Sequence, residues 1–335
     1  MTIQFFVWLS SLRIQFIYFA IVISLPSIIL YLIEIITIIG NKEFHNSFYK
    51  LFLIRSVPNI LYTLDSYYCY RLTVLFGNWL YPFYDLLPNW MLRLSFFFTY
   101  TTVLADFLAT SLILLNRWTA IIMPVTYKKV WNKLILPSAL AVFGIPSLLY
   151  IPILTVNCFL QNDTSSGGFY INQDKVTFYR GFPLNVFLCI SFLVVCILLN
   201  IATLISYRKH CKKDKGNKNN QQIHHEKTEY KLMVYAIATF VGHLIIVLEQ
   251  LSTTIFTQYP EYSAAVITQY PWTMDFGSVV LPSWLLFWAS DSFRKFIFKK
   301  FCPKFLQKIS ITIKFNAVHQ ATMVKPVNTV QNTKT

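Results

Sequence analysis

The feature that most constrains the fold is a long apolar stretch near the amino terminus, FIYFAIVISLPSIILYLIEIITII over residues 16–39. About 20 apolar residues suffice for a helix to cross the ~30 Å hydrocarbon core of a bilayer, because each residue adds about 1.5 Å. The chain as a whole is 55% hydrophobic and only 13% charged, well below the charged fraction of soluble domains. We therefore predict a membrane protein whose first span acts as an uncleaved signal anchor.

Six further apolar runs follow the first one along the chain. The seven predicted spans are 16–39, 51–73, 94–116, 134–157, 182–207, 232–256 and 271–289. The second is the weakest, since Arg55, Asp65 and Arg71 interrupt it, but without it the later loops fall on inconsistent sides of the membrane. The runs are too long for the alternating ten-residue strands of a membrane β-barrel. The expected fold is all-α, a seven-helix transmembrane bundle within residues 1–302.

The orientation follows from the distribution of positive charge. The chain has 29 Lys and Arg residues, and most of them fall in the loops 40–50, 117–133 and 208–231 and in the tail 290–335. Cytosolic loops are enriched in Lys and Arg, so the amino terminus is predicted to lie outside and the tail inside. The glycosylation sequon at Asn162 falls in an outer loop, which agrees with this orientation. The net charge of +15 therefore reflects sidedness, and no nucleic-acid partner is expected.

The segment after the seventh span is basic and amphipathic. Apolar residues recur at helical spacing over 291–301, with Lys and Arg between them, which predicts a short helix lying on the inner leaflet. Cys302 follows directly and is a candidate for palmitoylation. Residues 303–335 have no apolar period and are rich in Asn, Thr and Gln, which predicts a disordered cytosolic tail.

A short motif marks the cytosolic end of the third span. Residues 115–124 read LNRWTAIIMP, and Tyr127 and Trp131 follow. This segment resembles the LNRFTAI…P…Y…W pattern of the nematode chemoreceptors called serpentine receptor class gamma. The seventh span, with LPSWLL at 281–286 and SDSFR at 290–294, is similar to the same family.

The resemblance implies a chemosensory receptor in the plasma membrane of a sensory cell. Such a receptor binds a small molecule in the outer half of the bundle, changes its helix packing and activates a cytosolic heterotrimeric G protein. Three features depart from rhodopsin-like receptors. Asn116 replaces the acidic residue before the arginine, the top of the third span has no Cys, and 271–289 has no Lys that could hold retinal. No cofactor or metal is expected.

Asn116, Arg117 and Trp118 are the candidate coupling residues, and Arg117 admits two interpretations. Its charge complements the negative carboxyl-terminal end of the third helix, which is a purely structural role. Alternatively, Arg117 is a switch that holds the base of the sixth helix shut until a ligand releases it. In that case Glu226 and Glu229, just before the sixth span, are the available partners.

Ionisable residues inside the spans are candidates for the ligand pocket or for polar pairs within the bundle, because charges in hydrocarbon usually face the bundle and find partners. They are Glu34, Asp65, Asp106, His243, Glu249 and Asp275. Counted from the helix ends, Asp106 and His243 both lie near mid-depth, either as a structural pair or in contact with a ligand. Glu249 and Asp275 lie in the outer third, where they are candidates for the mouth of a pocket.

Two cysteines on the outer side form a further hypothesis. Cys69 lies near the top of the second span and Cys158 lies in the second outer loop, so both face an oxidising compartment. A disulfide bridge between them is therefore a candidate feature.

Two other function classes fit the sequence less well than a receptor does. A secondary transporter or channel is the alternative, but the sequence has no internal repeat and no paired broken spans. An enzyme is not expected, because the chain has no HExxH, no G-x-S-x-G and no Cys/His cluster.

Overall fold

The computed structural model describes residues 2–163, 168–173, 175–213, 220–255 and 259–301. The described residues up to Ala289 form one compact unit, and those from Ser290 to Phe301 belong to a second. The described helices are α1 (Thr2–Ser11), α2 (Arg13–Gly40), α3 (Ser47–Ser66), α4 (Leu72–Leu75), α5 (Gly77–Asp85), α6 (Asn89–Ile122), α7 (Tyr127–Tyr150), α8 (Lys175–Lys213), α9 (Asn220–Ile255), α10 (Pro260–Asp275), α11 (Leu281–Ala289) and α12 (Asp291–Phe301). The two strands are β1 (Cys158–Asp163) and β2 (Gly168–Gln173).

Five of the described helices are long and apolar enough to cross a membrane, and they correspond to five of the predicted spans. We name them by their predicted order: TM1 is α2, TM3 is α6, TM4 is α7, TM5 is α8 and TM6 is α9. One buried hydrophobic cluster surrounds Phe107 of TM3 and Ile246 of TM6.

The two remaining spans are composite helices. TM2 consists of α3, a π-helical segment Tyr67–Arg71 and α4. TM7 consists of α10, a π-helical segment Phe276–Val280 and α11. A π-helical turn widens the helix and shifts its hydrogen-bond partners, and such turns are frequent at functional sites. Within the described residues, TM2 and TM7 are therefore the spans that a π-helical segment interrupts.

Most predicted spans are shorter than the helices that contain them. TM7 differs most, because its first helix begins at Pro260 and not at residue 271. Pro260 occupies the first helical turn, where the missing N–H group costs nothing. Pro271 lies inside the same helix. The helix thus begins before the predicted span 271–289 and contains its first residues.

TM6 and TM7 approach each other closely at two glycines. A Cβ atom added at Gly242 would lie 3.0 Å from the Cα atom of Gly277. A Cβ atom added at Gly277 would lie 2.7 Å from the Cδ1 atom of Ile246, which is closer than real contacts allow. Small residues of this kind let membrane helices pack backbone to backbone.

A β-hairpin covers one end of the bundle, which we call the hairpin end. Strands β1 and β2 pair antiparallel, with Cys158 opposite Gln173 and Asp163 opposite Gly168. The side chain of Asn89, the first residue of TM3, ties the hairpin down by donating to the Cys158 carbonyl at 3.2 Å. Phe169 packs edge-on against Tyr84 of α5, with ring centroids 5.0 Å apart. The hairpin was not predicted from the sequence.

The short helix α12 is the described part of the second unit. Its bounds, Asp291–Phe301, coincide with the predicted amphipathic segment. Its position on the inner leaflet stays a prediction. Cys302 and the tail 303–335 lie outside the described residues.

Candidate ligand and signalling site

A buried ion-pair network lies in the middle of the bundle. Arg55 on TM2 is fully buried, and its Nε atom donates to Asp106 Oδ1 on TM3 at 2.5 Å. His243 Nε2 on TM6 lies 2.9 Å from Asp106 Oδ2. The network therefore joins three helices through one carboxylate. Buried charges persist in proteins only when they are paired and hydrogen-bonded in this way.

The surroundings of His243 place acceptors at both ring nitrogens. Its Nδ1 atom lies 2.7 Å from the Thr239 carbonyl oxygen, one turn earlier on TM6. The Thr110 hydroxyl of TM3 lies 3.3 Å from Nε2 as well. His243 of TM6 thus contacts two side chains of TM3, those of Asp106 and Thr110.

The π-helical segment of TM7 contributes backbone carbonyls to the same network. Asn59 Nδ2 donates to the Ser278 carbonyl at 2.7 Å, and Arg55 Nη2 reaches the Gly277 carbonyl at 3.5 Å. A regular α-helix uses such carbonyls for its own hydrogen bonds, whereas a π-helical turn redirects them. Asn59 also donates to the Tyr31 hydroxyl of TM1 at 3.2 Å. TM1 and TM7 are thereby connected to TM2.

A small cavity adjoins this network. Its volume is about 10 Å³, close to the minimum that holds a single water molecule. Asn59, Tyr62 and Asp106 are among the residues that line it. The Oδ1 atom of Asn59 is buried and has no hydrogen-bond partner among the described residues. The polar network therefore borders this small cavity. We call the half of the bundle nearer the hairpin end the hairpin half.

A second ion pair lies nearer the hairpin end. Arg71 of TM2 and Asp275 of TM7 are both fully buried and are joined by a short hydrogen bond. Arg71 Nη2 also donates to the Pro271 carbonyl at 3.1 Å, and its guanidinium lies 4.2 Å from the centre of the Tyr67 ring. Arg71 ends the π-helical segment of TM2, and Asp275 directly precedes that of TM7. The two irregular segments thus meet at this pair.

Two further carboxylates of the hairpin half have neutral partners. Asp65 accepts from the Thr99 hydroxyl at 2.5 Å and from the Cys69 thiol at 3.5 Å. Glu249 accepts a short hydrogen bond from the Thr273 hydroxyl. No described residue places a cation within ion-pair distance of either carboxylate.

The motif at the opposite end, which we call the motif end, forms a closed ring of hydrogen bonds. Tyr127 donates to Asn116 Oδ1 at 2.9 Å, and Asn116 Nδ2 donates to the Ser47 hydroxyl at 3.0 Å. The Ser47 and Tyr127 oxygens lie 2.5 Å apart, which closes the ring. Trp131 Nε1 donates to the Thr119 hydroxyl at 2.8 Å. The motif residues therefore hold the ends of TM2, TM3 and TM4 together.

We expect Tyr127→Phe to lower the free energy of unfolding by about 1 kcal/mol, because it removes one hydroxyl from a closed ring of partly buried hydrogen bonds. Tyr18→Phe is a matched control, since Tyr18 lies on TM1 with 57% of its surface exposed. Unfolding of the purified protein in mixed detergent micelles measures both. Equal stability of the two variants would show that the ring contributes nothing.

Arg117 lies beside this ring. The residue is 6% exposed, and its guanidinium lies 4.1 Å from the centre of the Phe48 ring of TM2. Trp118 is partly buried. Glu226 and Glu229 belong to the first turns of α9, but their side chains lie outside the described residues. The predicted contact between Arg117 and these glutamates thus stays a prediction.

The structure brings Asp106 and His243 into direct contact and keeps the other two pocket candidates apart from them. Asp275 is paired with Arg71 and is not exposed at a pocket mouth, while Glu249 contacts TM7 through Thr273. Glu34 is fully buried in TM1, and no described residue donates a hydrogen bond to it. Sequence reasoning missed Arg55 and Arg71 as partners. The signal available was that charged residues inside a membrane bundle usually pair with one another.

Cys69 and Cys158 are free and buried in one hydrophobic cluster, so the two thiols lie in the same region but are not bridged in this structure. The Cys69 thiol donates to Asp65, one turn earlier on the same helix. Burial raises the pKa of the Cys158 thiol to about 11, so this thiol is protonated at neutral pH. Asn162 is exposed on β1, and the last residue of its sequon lies outside the described part of the chain.

Comparison with known proteins supplies the family. A family model described as Srg family chemoreceptor matches residues 13–297. Serpentine receptor class gamma-16 of Caenorhabditis elegans is 25% identical over 193 residues, which cover 54% of this chain and 58% of that relative. The chain thus aligns with less than two thirds of the relative's length. Both findings confirm the resemblance seen at residues 115–131 and the seven-helix, multi-pass membrane fold. The chain belongs to the Srg family of serpentine chemoreceptors.

Proposed function

We propose that this chemoreceptor binds a small molecule in the hairpin half of its bundle and activates a cytosolic heterotrimeric G protein. The observation that carries the proposal is the network of Arg55, Asp106 and His243, which joins TM2, TM3 and TM6 between the two ends of the bundle. A buried polar network has discrete alternative pairings, so a ligand that favours one pairing shifts the helix packing. The motif end would report that shift to the G protein.

The proposed orientation places the hairpin end outside the plasma membrane of a sensory cell and the motif end in the cytosol. The concentration of the 29 Lys and Arg residues in the motif-end loops and the tail supports this orientation. The exposed Asn162 on the hairpin is then available for glycosylation. Antibody access to an amino-terminal epitope on intact cells tests the orientation. An epitope reachable only after permeabilisation would contradict it.

Nucleotide exchange tests the coupling directly. The full-length receptor in lipid nanodiscs should accelerate GTPγS binding by purified heterotrimeric G proteins relative to empty nanodiscs. No acceleration with any G-protein class, together with solute flux in proteoliposomes, would instead support a transporter.

We expect Arg117→Ala to raise basal nucleotide exchange about fivefold, because the loss of ~1 kcal/mol from a resting-state contact shifts a two-state equilibrium by that factor. The contact that is removed includes the Phe48 ring at 4.1 Å. Arg294→Ala on the separate helix α12 is a matched control, since it removes an arginine whose described ion pair is the local one with Asp291. Unchanged basal exchange at equal receptor density would remove Arg117 from the switch.

A further inference from the structure

The hairpin half of the bundle contains a cluster of four tyrosines, which we call the tyrosine cluster: Tyr62, Tyr70, Tyr100 and Tyr270. They come from TM2, TM3 and TM7. The rings of Tyr70 and Tyr270 meet edge-on with centroids 5.7 Å apart, and Tyr62 and Tyr100 both lie within electrostatic range of Tyr270. Tyr150 of TM4 stacks on Tyr100, with ring centroids 5.5 Å apart. The cluster therefore offers several aromatic faces and hydroxyl groups in one place.

Carboxylates outnumber cations around this cluster. Glu249 interacts electrostatically with Tyr270, and Asp65 does so with Tyr70. Their described partners are hydroxyl and thiol groups only, so neither carboxyl group has a cationic partner among the described residues. The adjacent cation, Arg71, is already paired with Asp275. A cation that could pair with Asp65 or Glu249 is thus absent among the side chains that the structure describes.

Unused hydrogen-bond acceptors point to the same place. The Oε1 atom of Glu249 is buried and accepts from no described donor. Gln173 reaches down from the hairpin, is 4% exposed and donates from Nε2 to the Tyr100 hydroxyl at 3.3 Å, while its own Oε1 atom is also unpartnered within the described residues. Buried acceptors are rarely left unpaired in native proteins. Two of them beside one aromatic cluster indicate a missing donor.

We propose that the tyrosine cluster, with Glu249 as counter-ion and Gln173 above it, binds a small organic cation that carries N–H donors, that is, an amine. The proposal rests on the ligand-binding function proposed above and specifies the ligand's chemical class. An ammonium group would be a cationic partner for Glu249, and its N–H groups would donate to the unpaired acceptors of Glu249 and Gln173. Its position against tyrosine faces adds a cation–π attraction, which strengthens when water is excluded.

The competing chemistry is an anionic ligand held by Arg71. The Nε and Nη1 atoms of Arg71 are buried without a partner among the described residues, so they are able to donate to a ligand carboxylate. Arg71 is paired with Asp275, however, whereas no described cation lies within ion-pair distance of Glu249. A bound anion would add a further negative charge beside Asp65, Glu249 and Asp275, which disfavours it.

Thermal stabilisation of the purified full-length receptor tests the ligand class without any G protein, so its outcome is independent of coupling. The probes are matched sets of primary amines, alcohols and carboxylates on the same alkyl and aryl skeletons, such as 2-phenylethylamine, 2-phenylethanol and 3-phenylpropanoate. We expect saturable stabilisation by members of the amine set. No stabilisation by any amine, or stronger stabilisation by the carboxylates, overturns the proposal.

Variants of the cluster locate the site. Glu249→Gln should weaken the apparent affinity for the stabilising amine by about tenfold or more, whereas the exposed Asp85→Asn on α5 should leave it unchanged. Tyr270→Phe keeps the aromatic face and should retain the shift, whereas Tyr270→Leu should lose most of it. If an amine stabilises Glu249→Gln and Tyr270→Leu as much as it stabilises the unmodified receptor, the amine binds elsewhere and the assignment is overturned. Where Glu249→Gln fails to fold, the comparison of Tyr270→Leu with Tyr270→Phe still tests the site.

Discussion

The Asp106→Ala variant should lose about 3–5 kcal/mol of stability, because it leaves the guanidinium of Arg55 buried without its counter-ion. Arg55 is fully buried, and its Nε atom donates to Asp106 at 2.5 Å. His243 would lose its 2.9 Å contact with the same carboxylate. Unfolding in mixed detergent micelles measures the loss, with Asp85→Ala at an exposed position of α5 as the control.

A double-mutant cycle separates the pair from the burial of each residue. Arg55→Leu and Asp106→Leu each leave one charge of the network uncompensated, so each single variant should be strongly destabilised. The double variant removes both charges and should recover at least about 1 kcal/mol relative to the sum of the single losses. Additive losses would mean that Arg55 and Asp106 do not depend on each other, and the central network would then be no switch.

The type of the membrane helices follows from the apolar runs, because hydrocarbon permits only structures that satisfy their own backbone. Their number also needed the distribution of basic loops, which supported the weak second span. The ends of those helices were less predictable. TM3 and TM5 continue beyond the apolar stretch into polar residues, where hydrogen bonding sustains the helix without lipid. The run 271–289 therefore marked the apolar part of TM7 and not its start at Pro260.

The π-helical segments had no signal in the sequence. Tyr67–Arg71 and Phe276–Val280 are rich in residues of modest helix propensity, which does not distinguish a π-helical turn from an α-helical one. Their altered hydrogen bonding is accompanied by contacts between helices. Asn59 and Arg55 use the carbonyls of Ser278 and Gly277 in this way. Those contacts are more than two hundred residues apart along the chain, so no local pattern reveals them.

The candidate site was partly predictable for a similar reason. Counting residues along a helix gives the depth of a side chain, which was enough to place Asp106 level with His243. Counting does not say which neighbouring helix a side chain faces, so Arg55 was read as an interruption of a weak span and not as the partner of Asp106. The rule that buried charges are paired would have predicted a cation for Asp106 and for Asp275.

The motif residues show what a resemblance adds and what it leaves out. Residues 115–131 correctly indicated the family, yet nothing in them pointed to Ser47, which closes the hydrogen-bond ring with Asn116 and Tyr127. That contact depends on how TM2 meets TM3 and TM4. Packing between helices, and not the pattern within one helix, decided the geometry of the motif.

The second large effect is expected at the ion pair of Arg71 and Asp275, near the hairpin end. Arg71→Met leaves the fully buried carboxylate of Asp275 without a cation and removes the donor to the Pro271 carbonyl, so we expect a loss of about 3–5 kcal/mol in the free energy of unfolding. Met keeps the length and flexibility of the arginine stem, so the change is mainly one of charge and hydrogen bonding. Unfolding in mixed detergent micelles measures the loss.

The double variant Arg71→Met/Asp275→Leu decides whether the pair stabilises the fold or serves the receptor's response. Removal of both charges should restore most of the stability, since an apolar pair of similar volume often replaces a buried ion pair without loss. TM2 and TM7 would then still pack against each other, but no ion pair would connect them at their π-helical segments. Full stability with a lost response to ligand would assign the pair to signalling, because the fold would be intact. If the double variant were as unstable as Arg71→Met alone, the contact between the two segments would depend on something other than this pair.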